Sequence, residues 1–163
     1  MNINHRPARN TDIPQIKKLI YATRLEFGLQ PDEAGADAEL NDIERHYQRG
    51  YFGIILNQLE HVVGTFALKH ESDTDCEIQK MYLTPGMRGR GLGKWMLHFL
   101  MEKAKADGYD TIRLETANSL KTAQAMYRKN GFREVQDCSL SCGCDKRFVL
   151  DINSQAYSLD EST

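Results

Sequence analysis

Residues 88–94 read R-G-R-G-L-G-K, in which three alternating glycines lie among three cations. The segment falls between a predicted strand and a predicted helix, where unpaired backbone N–H groups and the positive end of the helix dipole attract anions. Glycines have no Cβ atom to hold a phosphate away from the backbone, and Arg88, Arg90 and Lys94 add positive charge around it. The pattern therefore predicts a site for a phosphate or pyrophosphate group.

The spacing of these glycines does not fit the two common nucleotide-binding loops. The P-loop requires G-x-x-x-x-G-K-[ST], but Gly86 and Gly91 are followed by Leu92. The dinucleotide fingerprint G-x-G-x-x-G also fails, because Lys94 stands where the third glycine should be. A glycine-rich turn with solvated charges and no ligand is the alternative on the local sequence alone.

Length and composition limit the classes of protein that fit. A chain of 163 residues suits a single domain with one sizeable core. With 40% hydrophobic residues, 27% charged residues and a net charge of -2, the composition is that of a globular protein without an electrostatic footprint for nucleic acid. We therefore expect one domain over residues 1–153 and a loose polar tail over residues 154–163.

Apolar segments and cysteines bear on where the chain resides. No apolar run approaches the roughly 18 residues of a membrane span, and the opening M-N-I-N-H-R-P lacks the apolar core of a secretory signal. We expect a cytoplasmic protein with reduced thiols and no membrane partner. Cys138, Cys142 and Cys144 lack a second C-x-x-C pair or a suitably spaced histidine, which favours a turn with incidental thiols and no metal.

Hydrophobic periodicity predicts the elements that position the glycine segment. Apolar residues at period two indicate strands at residues 3–8, 51–56, 61–70, 76–83, 111–116, 132–136 and 147–152. Helical spacing indicates helices from a Thr11 cap to Gly28, over 37–48, from 92 to Gly108, and from a Ser119 cap to Asn130 and Gly131. This order predicts an α/β sandwich around a mixed sheet.

Three ordered motifs then resemble one family. Arg88, Gly91 and Gly93 match the Arg/Gln-x-x-Gly-x-Gly/Ala signature of the GNAT superfamily of N-acetyltransferases. The preceding E-I-Q-K-M-Y-L-T-P is similar to the family's fourth strand with its usual proline, and A-M-Y-R-K-N-G-F is similar to its late helix. The resemblance covers about residues 3–152. It implies an α/β (α+β) fold with a mixed, mostly antiparallel seven-stranded sheet, splayed central strands and flanking helices.

The resemblance also implies a site for acetyl-CoA as co-substrate. In the family the fourth strand bulges and splays from the fifth, which opens a slot for the pantetheine arm. The backbone of Met81, Tyr82 and Leu83 would bond pantetheine and polarise the acetyl carbonyl. Backbone N–H groups would hold the pyrophosphate along Arg88, Gly89, Arg90, Gly91, Leu92, Gly93 and Lys94. Asn118 matches a position near the cofactor, with a turn residue or an N-cap extension as the alternative.

Transfer to an amine makes three chemical demands. An amine with a pKa near 10.4 is mostly protonated at pH 7, and removing its proton costs roughly 4 to 5 kcal/mol, so a base or a water path to one is expected. Fixed backbone N–H groups suit the oxyanion. The leaving thiolate needs a proton, and by resemblance Tyr127 occupies the position of the family's general acid. Its helix position also suits a purely packing tyrosine.

By the same resemblance, Glu77 matches a strand position at which some members carry a catalytic glutamate. Other members use ordered water instead. Glu115 is a second carboxylate, on the neighbouring strand, where alternation could turn it away from the slot. Solvated sheet carboxylates are the alternative for both residues.

Acidic residues dominate the region that borders the acceptor site in similar proteins. Between positions 26 and 44 the chain has seven carboxylates and no Lys or Arg: Glu26, Asp32, Glu33, Asp37, Glu39, Asp42 and Glu44. A negative rim would attract a cationic amine such as a polyamine, a lysine side chain or an aminoglycoside. An acidic solvated helix face is the alternative reading.

We therefore predict an N-acetyltransferase that moves an acetyl group from acetyl-CoA to a small-molecule or peptide amine by direct transfer in a ternary complex. Two alternatives are a non-catalytic acyl-CoA sensor and a transferase that uses a longer acyl-CoA. Homodimerisation is common among similar proteins, although no residue of this sequence indicates it.

Overall fold

The computed structural model describes residues 2–136 and 146–154. Seven strands form one sheet in the order β1-β2-β3-β4-β5-β7-β6. Their bounds are β1 His5–Pro7, β2 Tyr51–Leu56, β3 Val62–His70, β4 Asp75–Leu83, β5 Thr111–Thr116, β6 Arg133–Val135 and β7 Lys146–Asp151. All pairings are antiparallel except that of β4 with β5, which is parallel. The predicted mixed, mostly antiparallel sheet is confirmed.

Within the described ranges, four α-helices flank the sheet: α1 Ile13–Glu26, α2 Ile43–His46, α3 Leu92–Ala106 and α4 Lys121–Lys129. The apolar stripe of α1 packs on β3 and β4, in a core that includes Ile16, Ile20 and, from β2, Ile54. The larger core lies on the other face of the sheet, where Met96 and Leu100 of α3 meet Phe66, Ile112 and Phe148. Both faces are thus covered, as the alternation of strands and helices predicts.

The predicted second helix over residues 37–48 is wrong in its extent. The segment folds as a 3-10 turn, Ala38–Asn41, and then the single α-helical turn of α2. Asp42 lies between them with φ -154° and ψ 80°, and its carboxylate accepts a hydrogen bond of 3.3 Å from the N–H of Arg45. Asp42 interrupts the helix because its own backbone is non-helical, while its side chain accepts a hydrogen bond from a backbone N–H group in the next helical turn.

Two predicted caps are also corrected. A 3-10 turn, Asn10–Asp12, precedes α1, and the N-cap of α1 is Asp12 in place of Thr11. The Asp12 carboxylate makes no cap hydrogen bond to α1; it accepts a hydrogen bond of 2.8 Å from the backbone N–H of Arg9, ahead of the 3-10 turn. Leu120 is the N-cap of α4, and no side chain caps that helix. A residue of α4 itself fixes the segment before the helix, because Gln124 Nε2 donates a hydrogen bond of 2.9 Å to the carbonyl oxygen of Ala117.

Two predictions fall on residues that the structure does not describe. The three clustered cysteines, Cys138, Cys142 and Cys144, lie outside the described residues, as does the tail beyond residue 154. Within residues 2–136 and 146–154, no three His, Cys, Asp or Glu side chains come together as metal ligands would. None of the helices in those ranges is long and apolar enough to cross a membrane.

Candidate active site

A bulge interrupts β4 opposite Phe66 of β3. The register of the two strands slips there, so that Lys80 and Met81 together oppose Phe66. Lys80 adopts the left-handed φ of +54°, and its carbonyl oxygen accepts a hydrogen bond of 2.7 Å from Thr65 Oγ1. The bulge redirects the last residues of β4 relative to the first part of the strand.

β4 and β5 separate just before the bulge. Their parallel pairing ends at Ile78 and Leu114, although β4 continues to Leu83 and β5 to Thr116. In the described part of the chain, no strand pairs with the β5-facing edge of β4 after Ile78. Backbone polar groups of residues 79–83 that bond neither β3 nor a side chain therefore face the gap between the strands, whereas the carbonyl oxygens of Lys80 and Leu83 already accept hydrogen bonds from Thr65 and Arg88.

The gap opens into a cavity of about 540 Å³. Its walls come from four places in the chain: the end of β4, the glycine segment, the first turns of α4, and the C-terminal end of α1 with the residues after it. A smaller cavity of about 80 Å³ extends between β4 and β5 and shares Arg24, Leu29, Met81, Tyr82, Leu120 and Tyr127 with the larger one. The volume suits a cofactor-sized ligand.

The glycine segment has the backbone that an anion site requires. Gly89 and Gly91 have φ of +73° and +80°, and Gly91 is the N-cap of α3. Left-handed backbone is accessible to glycine at little cost, which explains glycine at both positions. A Cβ atom at Gly93 would meet only Met126 Sδ, at 3.9 Å, so this position borders open space at the start of the helix.

Arg88 has its guanidinium in contact with three groups. It donates to both carboxylate oxygens of Glu26, at 2.6 and 2.8 Å, and to the carbonyl oxygen of Leu83. It also lies over the ring of Phe27, 5.5 Å from the ring centre. Arg88 therefore ties the end of α1 to the end of β4 at the wall of the cavity.

Tyr127 lies on α4 where the two cavities meet, and it is 7% exposed. Its ring packs on Phe132 and Phe148, with ring centres 6.1 and 5.9 Å away. The packing interpretation and the catalytic interpretation are thus compatible: the ring belongs to the core, and the residue lines the gap between β4 and β5.

Glu77 lies on the opposite face of the sheet from Tyr127. Cys76 and Ile78 belong to the core beneath α3 and α4, so alternation turns Glu77 toward the side of α1 and α2. Burial raises the pKa of Glu77 to about 7, and repulsion from the carboxylates of Glu115 and Glu71 adds to the rise. A hydrogen bond with Gln79 acts in the opposite direction.

Glu115 shares that face, and alternation does not turn it away from the gap between β4 and β5, which was the possibility left open by the sequence. It lines the smaller cavity, because β5 pairs in parallel with β4 and its odd-numbered residues point to the same side as Glu77. Its carboxylate accepts a hydrogen bond of 2.5 Å from Arg147 of the neighbouring strand β7.

The structure brings together seven of the predicted site residues. The larger cavity is lined by Met81, Tyr82, Leu83, Arg88, Gly89, Gly93 and Tyr127. Of the other described candidates, Glu77, Arg90, Gly91, Leu92, Lys94 and Asn118 do not line it. Leu92 points into the core at 4% exposure, and the side-chain oxygen of Asn118 accepts a hydrogen bond from Lys121 at 2.7 Å. Whether these residues bind or react stays a prediction.

Several carboxylates of the acidic region have partners within the chain. Asp37 is fully buried against Lys80, Glu39 accepts a hydrogen bond of 2.7 Å from Lys69, and Glu26 pairs with Arg88. These contacts neutralise much of the negative rim that the sequence suggests. The sequence gives no sign of them, because the basic partners lie on β3, β4 and the glycine segment, far along the chain.

Sequence reasoning placed residues 26–44 beside the acceptor site but did not identify the residues at the end of α1 that line the cavity. Thr23, Arg24, Phe27 and Leu29 line the larger cavity opposite α4. The apolar residues at 25–29 continue past the end of the helical stripe, and this was the only signal of a second role. Exposed Leu25 and Phe27, at 53% and 39%, mark the same region as more than a core-facing helix.

Comparison with known proteins places this geometry in context. The model of the Acetyltransferase (GNAT) family matches residues 17–132, which is more than half of the chain. The sequence is 34% identical over 152 residues to YjgM of Escherichia coli K12, named as an uncharacterized N-acetyltransferase, and the match covers 86% of this chain and 90% of that protein.

Solved structures agree on the fold. A GNAT-family acetyltransferase from Staphylococcus aureus Mu50 superposes with a TM-score of 0.84 at 23% identity, over 93% of this chain and 99% of that one. A phosphinothricin acetyltransferase from Sinorhizobium meliloti, solved in complex with acetyl-CoA, superposes with a TM-score of 0.73 at 18% identity, over 100% of this chain and 96% of that one.

Proposed function

Since the chain belongs to the GNAT family of acetyltransferases, we propose that it moves the acetyl group of acetyl-CoA directly to a primary amine while both substrates are bound. The observation that carries the proposal is the split between β4 and β5, which opens onto one cavity lined by the β4 backbone, the glycine segment and Tyr127. Acetyl-CoA supplies an activated thioester; the residues of the chain supply the rest.

The binding residues fit such a donor. The edge of β4 over residues 79–83 offers backbone groups to an amide-containing arm, as an added strand would use them. The loop before α3 offers backbone N–H groups at the positive end of a 15-residue helix, which suits a pyrophosphate. We propose Met81, Tyr82, Leu83, residues 88–94 and Asn118 as this site.

Backbone N–H groups polarise the thioester carbonyl. N–H groups fixed near the bulge stabilise negative charge that develops on the carbonyl oxygen, and they need no reorganisation because the strand already holds them. The cavity walls are largely apolar side chains, such as Leu29, Met81, Leu120 and Met126, which strengthen this interaction by excluding water.

Two side chains move protons, one on each face of the sheet. Glu77, with its pKa raised to about 7, takes the proton of the incoming ammonium, directly or through water. As the N–C bond forms and the C–S bond breaks, Tyr127 donates its phenolic proton to the departing thiolate, and the second proton of the acylated nitrogen restores the phenol through water. The proposed base lies on the α1 side of the sheet and the proposed acid on the α4 side. This placement suits an amine that enters through the first face and a thiol that leaves toward the second.

Thiol release tests this proposal. Wild-type protein is mixed with acetyl-CoA and a panel of a polyamine, a lysine peptide and an aminoglycoside, and free thiol is measured against protein-free controls. Propionyl-CoA and succinyl-CoA, compared as donors, define acyl-chain preference. Release that requires an amine and prefers acetyl-CoA supports the proposal. Tight acetyl-CoA binding without turnover on any amine favours a sensor, and faster turnover of a longer donor favours the other alternative.

A further inference from the structure

We propose that the buried ion pair between Lys80 and Asp37 is a positioning device for the thioester: it fixes the left-handed backbone of the β4 bulge, and so the direction of the N–H groups that follow it. The inference rests on the proposed function, because it concerns the backbone that would hold the acetyl carbonyl. Neither residue is assigned a catalytic step.

The backbone of Lys80 is the first observation. Among the described non-glycine residues, only Glu60 and Lys80 have a positive φ, of 61° and 54°. Glu60 lies in the turn between β2 and β3, where such backbone is common. Lys80 lies inside a nine-residue strand, where left-handed backbone strains any residue that carries a Cβ atom. Such a conformation persists only if its surroundings impose it.

Three contacts impose it. The carbonyl oxygen of Lys80 accepts a hydrogen bond of 2.7 Å from the fully buried Thr65. Its ammonium donates to Asp37 Oδ1 at 2.7 Å and to the carbonyl oxygen of Ala36 at 3.2 Å. One end of the residue is thus held by β3 and the other by the segment between α1 and α2.

Asp37 is itself fixed. Its carboxylate is fully buried, accepts a hydrogen bond of 2.9 Å from the backbone N–H of Asp32, and lies 3.8 Å from Arg24 Nε. The Lys80 side chain is 9% exposed and that of Arg24 is 8% exposed. A carboxylate between two buried cations cannot move without leaving a charge uncompensated, which makes the cluster rigid.

The cost of this arrangement points to a role beyond stability. A buried ion pair contributes little net stability compared with apolar packing, and glycine would adopt the backbone of the bulge without strain. Glycine would, however, leave the bulge free to sample other conformations. Lysine with a buried partner gives the same backbone and a fixed orientation, which is what a preorganised carbonyl-binding site requires.

Position relative to the cavities is the second observation. Lys80 and Arg24 both line the smaller cavity between β4 and β5, and Met81 and Tyr82, directly after Lys80, line both cavities. The segment that carries Asp37 follows Leu29, which also lines both. The ion pair therefore joins the wall next to α1 to the strand edge at the point where the strands separate.

Two variants at one position separate positioning from stability. Lys80→Ala and Lys80→Gly both remove the ion pair, but only glycine adopts the left-handed backbone freely. We expect kcat to fall about a hundredfold in Lys80→Ala, since small misplacements at a reacting centre have effects of this size. The kcat of Lys80→Gly should be about tenfold higher than that of Lys80→Ala. Asp37→Asn, if it folds, should resemble Lys80→Ala.

The direct measurement is the ¹³C chemical shift of carbonyl-labelled acetyl-CoA, which needs no amine acceptor. Wild type should displace the resonance on binding, Lys80→Gly should keep part of the displacement, and Lys80→Ala should lose it while the dissociation constant changes less than about threefold. Asp12→Asn is the matched control, because Asp12 is a buried carboxylate paired with Arg6 at 2.8 Å, away from the bulge. It should lower the melting temperature and leave the resonance unchanged.

The outcomes are distinct. A folded Lys80→Ala variant with the wild-type displacement and wild-type kcat overturns the inference. Equal losses in Lys80→Ala and Lys80→Gly, in proportion to their melting temperatures, also overturn it and indicate a purely structural pair. If the wild type itself does not bind acetyl-CoA, it is the proposed function that fails.

Discussion

The carboxylate of Glu26, the last residue of α1, holds the guanidinium of Arg88 through two hydrogen bonds of 2.6 and 2.8 Å. Arg88 is the first residue of the segment proposed to bind pyrophosphate, so a carboxylate already occupies part of its donor set. The pair raises the pKa of Arg88 and lowers that of Glu26, in each case chiefly through these hydrogen bonds. An anionic ligand at this loop has to share Arg88 with Glu26 or displace it.

We therefore predict that Glu26→Gln binds acetyl-CoA several-fold more tightly than wild type at low ionic strength. The substitution removes a negative charge from the neighbourhood of the pyrophosphate and releases the guanidinium. The difference should shrink as salt is added, because both groups are partly exposed. Titration at two salt concentrations measures it, and Glu102→Gln, an exposed carboxylate on α3, controls for net charge. Weaker binding by Glu26→Gln would mean that the pair positions Arg88 for the ligand.

Tyr127→Phe should lower kcat about a hundredfold and leave acetyl-CoA affinity within about threefold of wild type. Loss of the phenol removes the proton donor, and general acid catalysis contributes about 10² to 10⁴ in rate. The ring contacts with Phe132 and Phe148 are kept, so the fold should be little affected. Steady-state kinetics of thiol release measures the effect.

Tyr109→Phe is the matched control for that experiment. Tyr109 is also 7% exposed, and its hydroxyl is 2.7 Å from His70 Nδ1, beside the start of β4. Removal of this hydroxyl should cost about 1 kcal/mol of stability and leave kcat unchanged. If Tyr127→Phe retains wild-type kcat, Tyr127 is a packing residue and another group protonates the thiolate.

The pH dependence of turnover should report Glu77. If this carboxylate is the base, kcat rises with pH through a midpoint near 7, as the group loses its proton. Glu77→Gln should lower the alkaline plateau by about 10² or more and remove this midpoint. Glu71→Gln should retain the plateau and move the midpoint to lower pH, because one repelling carboxylate is gone. A Glu77→Gln variant with the wild-type profile would assign the base to ordered water.

The same raised pKa affects stability. The pKa of Glu77 rises from 4.5 to about 7 in the folded chain, so the folded state binds its proton more tightly than the unfolded state does. Its contribution to stability is therefore complete below about pH 4.5 and is lost as the pH rises toward 7. Denaturant unfolding should show wild type losing stability relative to Glu77→Gln across this window. If the free energies of unfolding of wild type and Glu77→Gln differed by the same amount at pH 4 and at pH 8, the raised pKa of Glu77 would be contradicted.

How much of this could be predicted from the sequence depends on the range of each interaction. Local patterns were sufficient for the strands around the site: alternation in residues 51–56 and 61–70 predicts the β2–β3 hairpin, and the alternating glycines of residues 88–94 predict the loop before α3. The family resemblance supplied the splay and the candidate residues. The helix at 37–48 was wrong because one residue, Asp42, caps a new turn inside an apparently continuous pattern.

The contacts that shape the site are long-range and were not predictable in this way. Asp37 and Lys80 lie 43 positions apart, and Glu26 and Arg88 lie 62 apart. As a sequence, the acidic region suggests a solvated or substrate-facing surface. Only the fold shows that its members meet basic partners across two elements. A left-handed lysine within a strand also has no local signature, since tertiary contacts impose it.

Titration calorimetry on wild type and Gly93→Leu shows whether the cavity beside the glycine segment binds acetyl-CoA. A Cβ atom at Gly93 has space, and replacing glycine inside a helix does not weaken it, so the variant should fold with an added side chain in the cavity. Lys105→Leu, on the exposed face near the other end of α3, is the control. We predict saturable binding by wild type and Lys105→Leu, and at least a tenfold loss of affinity in Gly93→Leu. Absence of binding by wild type, or equal binding by Gly93→Leu, would contradict the account.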